Sequence, residues 1–190
     1  MPQYRRLDCP GATVFFTVVT AQRRPILTGP AIDLLRDAVR AVQHAHPFEI
    51  NAAVILPDHL HMLWTLPPND DDYSNRWFQI KSRFTREYLK NGGAESTRSA
   101  SRERRSERGV WQRRFWEHVV RNDDEFGAFC DYIHLNPLKH GLAACPHFWP
   151  HSSFHTLVRK GIYAADWLCG CRGERPPLPH HPAIESLIGE

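Results

Sequence analysis

The hydrophobic and polar positions of this chain fall into runs of period two and runs of helical spacing, and their order predicts most of its elements. Residues 13–20, TVFFTVVT, are β-branched and aromatic and predict a strand. The stretch 27–45 follows, with Thr28 and Pro30 as start signals and Ile32, Leu35, Val39 and Val42 spaced along one helix face. FEINAAVIL (48–56) alternates, placing Phe48, Ile50, Ala52, Val54 and Leu56 on one side of a second strand, and Pro57-Asp58 supplies a turn. HLHMLWTL (59–66) alternates again, with Leu60, Met62, Trp64 and Leu66 on one side and His59 and His61 on the other.

Beyond a Pro/Asn/Asp loop at 67–72, SNRWFQIKSRFTREYLKNGG predicts a helix striped by Trp77, Ile80, Phe84 and Tyr88 and ended by Gly92-Gly93. Residues 94–109 hold five arginines and no apolar residue but alanine, which predicts a mobile basic loop. VWQRRFWEHVV (110–120) predicts a further strand. A helix capped by Asn122 or Asp123 then runs through EFGAFCDYIHLN and is limited by Pro137, with Gly141 after it.

The order β-α-β-β-α-β-α begins with the six elements of a split βαβ unit. The predicted fold is therefore α+β and ferredoxin-like: a four-stranded antiparallel sheet with helices on one face, plus an extra helix around Tyr132. Residues 1–142 form this domain. Residues 143–190 form a partly disordered extension rich in aromatics, Pro and His, a candidate DNA contact, with a short helix near SSFHTLVRKG. His180 and His181 are expected to be disordered.

Composition adds to this picture in two places. A chain of 190 residues with 42% hydrophobic residues can build a sizeable core, yet no apolar run approaches the roughly 20 residues that cross a bilayer. With no apolar leader at the N-terminus, the expected location is the cytoplasm. Net charge is only +3, but residues 76–121 hold 13 Lys or Arg against 5 Glu, the uneven distribution of a polyanion footprint. A solvated helix face followed by a charged loop would give the same count. The five cysteines form no pair of CxxC knuckles and are read as reduced thiols, with Cys169-Gly-Cys171 a lone CxC.

The candidate chemistry starts at His59 and His61, which share one side of their strand and can chelate one divalent cation. Two exposed polar residues on a strand are the plainer alternative. Further along, Tyr132 and Asn136 are four apart and share a helical face, beside a buried stripe of Phe126, Phe129, Cys130 and Ile133. Asn136 offers an amide oxygen to a hard cation such as magnesium or manganese. Two histidines, a tyrosine, an asparagine and a basic segment are the parts of a metal-assisted phosphodiester transfer. His59, His61 and Asn136 would hold the metal and Tyr132 would attack, leaving a covalent phosphotyrosine and a free 3′-hydroxyl. Lys81, Arg83 and Arg86 on one helix, Arg113 and Arg114 on the last strand, and Lys139 after the tyrosine are candidate DNA contacts.

PDHLHMLW resembles the His-hydrophobe-His motif of HUH nucleases. GVWQRRFWEHVVRNDDEFGAFCDYIHLNPLKHGL resembles the catalytic C-terminal half of single-tyrosine transposases. Together with YRRLDCPGATVFFTVVTAQRRPIL and WPHSSFHTLVRKGIYAADW, these stretches are similar to the REP-associated tyrosine transposases over roughly residues 3–168. The resemblance implies a divalent metal and cleavage of single-stranded or hairpin DNA at repetitive extragenic palindromes, with nucleoid association when DNA is bound. Carried over, His59 and His61 are the motif histidines, Tyr132 the nucleophile and Asn136 the third ligand, where related insertion-sequence transposases usually have Gln. The chain departs from the expected pattern at His151, where a tryptophan is expected, and in its longer 94–109 loop. Two alternatives stay open: a catalytically vestigial hairpin-binding protein, and a hydrolase of small phosphoesters. Monomer and homodimer are equally compatible with the sequence.

Overall fold

The computed structural model describes residues 9–171, 173, 177–179, 182 and 184. Its elements are β1 (Thr13–Val19), α1 (Pro30–Ala45), β2 (Glu49–Ile55), β3 (His59–Thr65), α2 (Tyr73–Lys90), α3 (Ala100–Arg104), β4 (Trp116–Val119), α4 (Asp123–Lys139) and α5 (Phe154–Arg159). The strands form one antiparallel sheet in the order β2-β3-β1-β4, the split βαβ arrangement. His180 and His181, like residues 1–8, lie outside the described residues.

One face of the sheet carries Val14, Phe16, Val18, Leu60, Met62 and Trp64, packed under the apolar stripes of α1 and α2. Trp64 stacks on Trp77 of α2 at 4.5 Å and lies 4.1 Å from Phe48. Arg76, only 3% exposed, ties this layer together. Its guanidinium donates to both carboxylate oxygens of Asp70 at 2.8 and 2.7 Å and to the carbonyls of His46 and Pro47.

The other face is also covered. Phe15, Ala52, Val54, Leu56 and Leu63 pack against Phe129, Tyr132 and Ile133 of α4. Residues 143–171 then wrap the outer side of α4 and the β2 edge. Trp149 Nε1 donates to the Ile55 carbonyl at 2.9 Å, Ser153 N to the Ala53 carbonyl at 2.8 Å, and the Tyr163 hydroxyl to Asp131 at 2.6 Å. Of the stripe expected on α4, Phe126 is only half-buried while Phe129, Cys130 and Ile133 are buried, and the stripe is wider than expected. Tyr132, His134, Leu135, Asn136 and Leu138 are buried as well.

Several expected elements differ in detail. The side chains of β2 do not keep to one face, because pairing with β3 shifts register between Ile50 and Ala52, leaving Asn51 as the extra residue of a bulge. Phe48 consequently joins the α1–α2 core, while Ala52, Val54 and Leu56 face α4. The segment 110–120 is not one continuous strand. Trp111 makes an isolated bridge to Thr20, and regular pairing resumes only at Trp116. Pro137 lies inside α4, which continues to Lys139. A proline removes one donor and crowds the preceding turn, yet here Leu138 packs with Leu135 and Leu168 and holds the last turn in place. The 94–109 segment contains α3 and closes on itself through Ser96 N to the Gly109 carbonyl at 2.8 Å and the Arg108–Glu95 pair at 2.8 Å. A Cβ at Gly109 would collide with the Ser96 carbonyl, so only glycine permits that closure. Among the described residues no helix is long and apolar enough to cross a membrane.

Candidate active site

The local chain path delivers both histidines of β3 to the α4 side. The Pro57-Asp58 turn is held by Leu27 N to the Pro57 carbonyl at 2.8 Å and Thr20 N to the Asp58 carbonyl at 2.9 Å. From there the period of two sends Leu60 and Met62 to one core and His59 and His61 to the other face. They are not exposed polar residues: His59 is 1% and His61 0% exposed, with ring centroids 5.0 Å apart.

Each ring is oriented through Nδ1. Asp58 Oδ1 lies 2.6 Å from His59 Nδ1, and its other oxygen accepts from Arg23 at 3.2 Å. A carboxylate can only accept, so a neutral His59 carries its proton on Nδ1 and keeps the lone pair on Nε2. Burial raises the pKa of the Asp58 carboxyl, but His59 and Arg23 together offset this and hold it below its ordinary value. His61 Nδ1 meets Thr17 Oγ1 at 2.9 Å, as expected from the β1–β3 register that sets Thr17 opposite His61. Burial lowers the His61 pKa well below that of a free imidazole, with His59 and His140 adding to the fall and Asn136 opposing it.

The second half of the site comes from α4. Asn122 caps this helix by accepting from Glu125 N at 2.8 Å, and three acidic residues fill its first turn. One turn separates Tyr132 from Asn136, and both point at the sheet. The Tyr132 ring lies 5.3 Å from the His61 ring, and Tyr132 is 4% exposed. Asn136, fully buried, donates Nδ2 to the Tyr132 carbonyl at 2.8 Å. With the amide so fixed, its buried Oδ1 is the atom left toward His61. At the exposed end of the helix, Lys139 Nζ sits 5.0 Å above the Tyr132 ring and the His140 ring is 5.1 Å from that of His59.

The structure thus brings His59, His61, Tyr132, Asn136 and Lys139 together. The remaining basic candidates lie elsewhere. Lys81, Arg83 and Arg86 are on α2, across the sheet from the histidines. Lys81 donates to the Gln112 carbonyl at 2.6 Å, Arg86 pairs with Glu87 at 3.0 Å, and Arg113 pairs with Glu107 at 2.8 Å. Arg83 and Arg114 are exposed. Sequence reasoning named His140, with His134, only as a site candidate flanking the tyrosine; its further signal was its spacing of four from Asn136 and eight from Tyr132. It read Asp58 only as a turn residue. His134, also next to the tyrosine in sequence, faces the opposite way, with Nε2 2.9 Å from Ser153 Oγ and burial pushing its pKa down to about 3.

Two imidazole nitrogens and one amide oxygen, all buried and all oriented by partners behind them, form a donor set compatible with a divalent metal ion. The phenol beside them can act as a nucleophile, and the exposed cations of Lys139, over the Tyr132 ring, and Arg23, on Asp58, flank the group.

The chain is similar to known proteins over most of its length. Residues 11–136 match the family model described as transposase IS200 like. A REP-associated tyrosine transposase from Escherichia coli K12 is 43% identical over 168 residues, covering 88% of this chain and 91% of that protein. A solved structure of a REP-associated tyrosine transposase bound to a REP hairpin superposes with a TM-score of 0.75 at 38% identity, covering 96% of each chain.

Proposed function

The chain belongs to the IS200-like transposase family and, within it, to the REP-associated tyrosine transposases, and from the site we propose that it nicks and rejoins single-stranded DNA at hairpins through a covalent phosphotyrosine. The observation that carries this reading is the convergence of Tyr132 with His59, His61 and Asn136 on the covered second face of the sheet. A protein that only binds hairpins has no use for that buried group.

His59, His61 and Asn136 would hold the metal, manganese or magnesium being the hard cations that the amide oxygen of Asn136 suits. When bound, such an ion withdraws charge from a scissile phosphate and makes phosphorus easier to attack. The chain's own residues do the rest. The Tyr132 oxygen attacks phosphorus, the new bond to tyrosine forms, and the bond to the 3′-oxygen breaks, which takes up a proton as a free 3′-hydroxyl. The Lys139 ammonium, 5.0 Å above the Tyr132 ring, places a cation beside the reacting phenol. Asp58 and Thr17 keep the two imidazoles from rotating, so the donors are set before DNA arrives. Because the adduct keeps the energy of the phosphodiester, attack by a second 3′-hydroxyl reverses the step and joins strands. The REP hairpin held by the solved relative is the proposed substrate class.

The test is incubation with end-labelled single-stranded hairpin DNA and manganese, followed by a denaturing gel. A cleaved strand attached to protein, absent with Tyr132→Phe, is the expected result. Binding without an adduct would identify a vestigial hairpin binder. Cleavage that survives Tyr132→Phe, with or without activity on small phosphoesters, would remove the tyrosine mechanism.

A further inference from the structure

Outside this site, a second set of metal-binding side chains converges in the extension. Cys145, His147, Cys169 and Cys171 each place a ligand atom within 4.8 Å of all the others. Cys145 Sγ lies 2.8 Å from Cys169 Sγ and 2.7 Å from Cys171 Sγ, and none of the three is in a disulfide. His147 Nδ1 is buried with no hydrogen-bonding partner among the described residues. We propose that these four residues form a closed structural site for one zinc-type divalent ion, which clips the extension onto the catalytic helix.

The chemistry fits a four-coordinate Cys3His set, where three thiolates and one neutral imidazole leave no open position. A disulfide would use two of the sulfurs and leave the third, and the imidazole, crowded against it without a role. Zn–S bonds of about 2.3 Å set tetrahedral sulfurs roughly 3.8 Å apart, so loading the site spreads the cluster by about 1 Å. Cys171, on an exposed turn, has room to move.

The ion would have a defined mechanical effect. Cys145 and Cys171 are 26 residues apart, and the chain between them is the cover on β2 and α4. Leu168, held at a left-handed φ of 54° just before Cys169, packs with Leu135 and Leu138 of α4. Joining the two ends of this cover would fix the outer side of the helix that carries Tyr132 and Asn136.

The test uses the full chain, stripped with chelator under reducing conditions and titrated with cobalt and then zinc. One equivalent of cobalt per chain is expected to develop thiolate charge-transfer absorption and tetrahedral d–d bands, any cobalt at the histidine site adding no thiolate band, and zinc should remove both signals. Zinc should also raise the melting temperature. Cys171→Ser, at an exposed position, should lose these bands while keeping its far-UV spectrum. His61→Ala should keep them, which separates this site from the catalytic reading. Absence of thiolate bands, bands unchanged in Cys171→Ser, or a peptide map linking Cys145 to Cys169 or Cys171 by disulfide would each overturn the proposal.

Discussion

On the α1–α2 side of the sheet, alternate residues of β1 and β3 are apolar without exception: Val14, Phe16, Val18, Leu60, Met62 and Trp64. On the α4 side, the residues between them include Thr17, His59 and His61, which are buried just as deeply. The same two strands thus build an ordinary core on one face and a polar centre on the other. Burying imidazoles and an amide costs free energy unless each is oriented and partnered. Here Asp58, Thr17 and the Tyr132 carbonyl supply those partners. The first face is shaped for stability. The second gives up some apolar packing so that donors are held rigidly beside a phenol.

Replacing the polar pair should break this comparison most sharply. His61→Leu combined with Thr17→Val removes both members of a buried hydrogen bond. DNA cleavage should vanish, while chemical denaturation of the metal-free protein shows stability unchanged or raised. The mirror experiment lies one residue class away on the other face. Trp64→Ala should cost about 3–5 kcal/mol in the same denaturation assay, through lost burial and a cavity between Phe48 and Trp77. Any fall in its cleavage should track the folded fraction.

Smaller effects sharpen the comparison. Asp58→Asn leaves His59 in place but weakens the acceptor behind it, and manganese affinity should fall by about 10–100-fold by titration calorimetry. The pH dependence of stability separates the imidazoles on the two sides of α4. His134 has a folded pKa of about 3, below the ordinary 6.5, so the unfolded chain takes up its proton first as pH falls. Its contribution is complete above pH 6.5 and is lost toward pH 3, amounting to about 2 kcal/mol between pH 6.5 and 5. His134→Gln should flatten the stability–pH curve by about that amount in urea titrations, with no change in the residues facing the DNA.

Much of this organisation was legible because it is local. The alternation of HLHMLWTL assigned Leu60, Met62 and Trp64 to one core and the histidines to the other side. Spacing of four placed Tyr132 with Asn136 on one helical face. What stayed hidden depends on pairing between distant segments. The Asn51 bulge exists only in the register with β3, so the unbroken alternation of FEINAAVIL gave no sign of it. The burial of His59 and His61 requires α4, and the burial of α4's far side requires Tyr163, Trp167 and Leu168. The cysteine cluster joins a CxH pair (Cys145, His147) to a CxC pair (Cys169, Cys171) across more than twenty residues, too far apart for either half to resemble a zinc knuckle alone.

The claim that the second face of the sheet is the reacting face is tested most directly by locating the adduct. Protein trapped with 3′-labelled hairpin DNA, whose label stays on the strand joined to tyrosine, would be digested with protease and nuclease, and the peptide retaining a nucleotide sequenced by mass spectrometry. The modified residue is predicted to be Tyr132, within the peptide that also holds Asn136. A nucleotide on Tyr73, Tyr88 or Tyr163, or on any serine, would contradict the account.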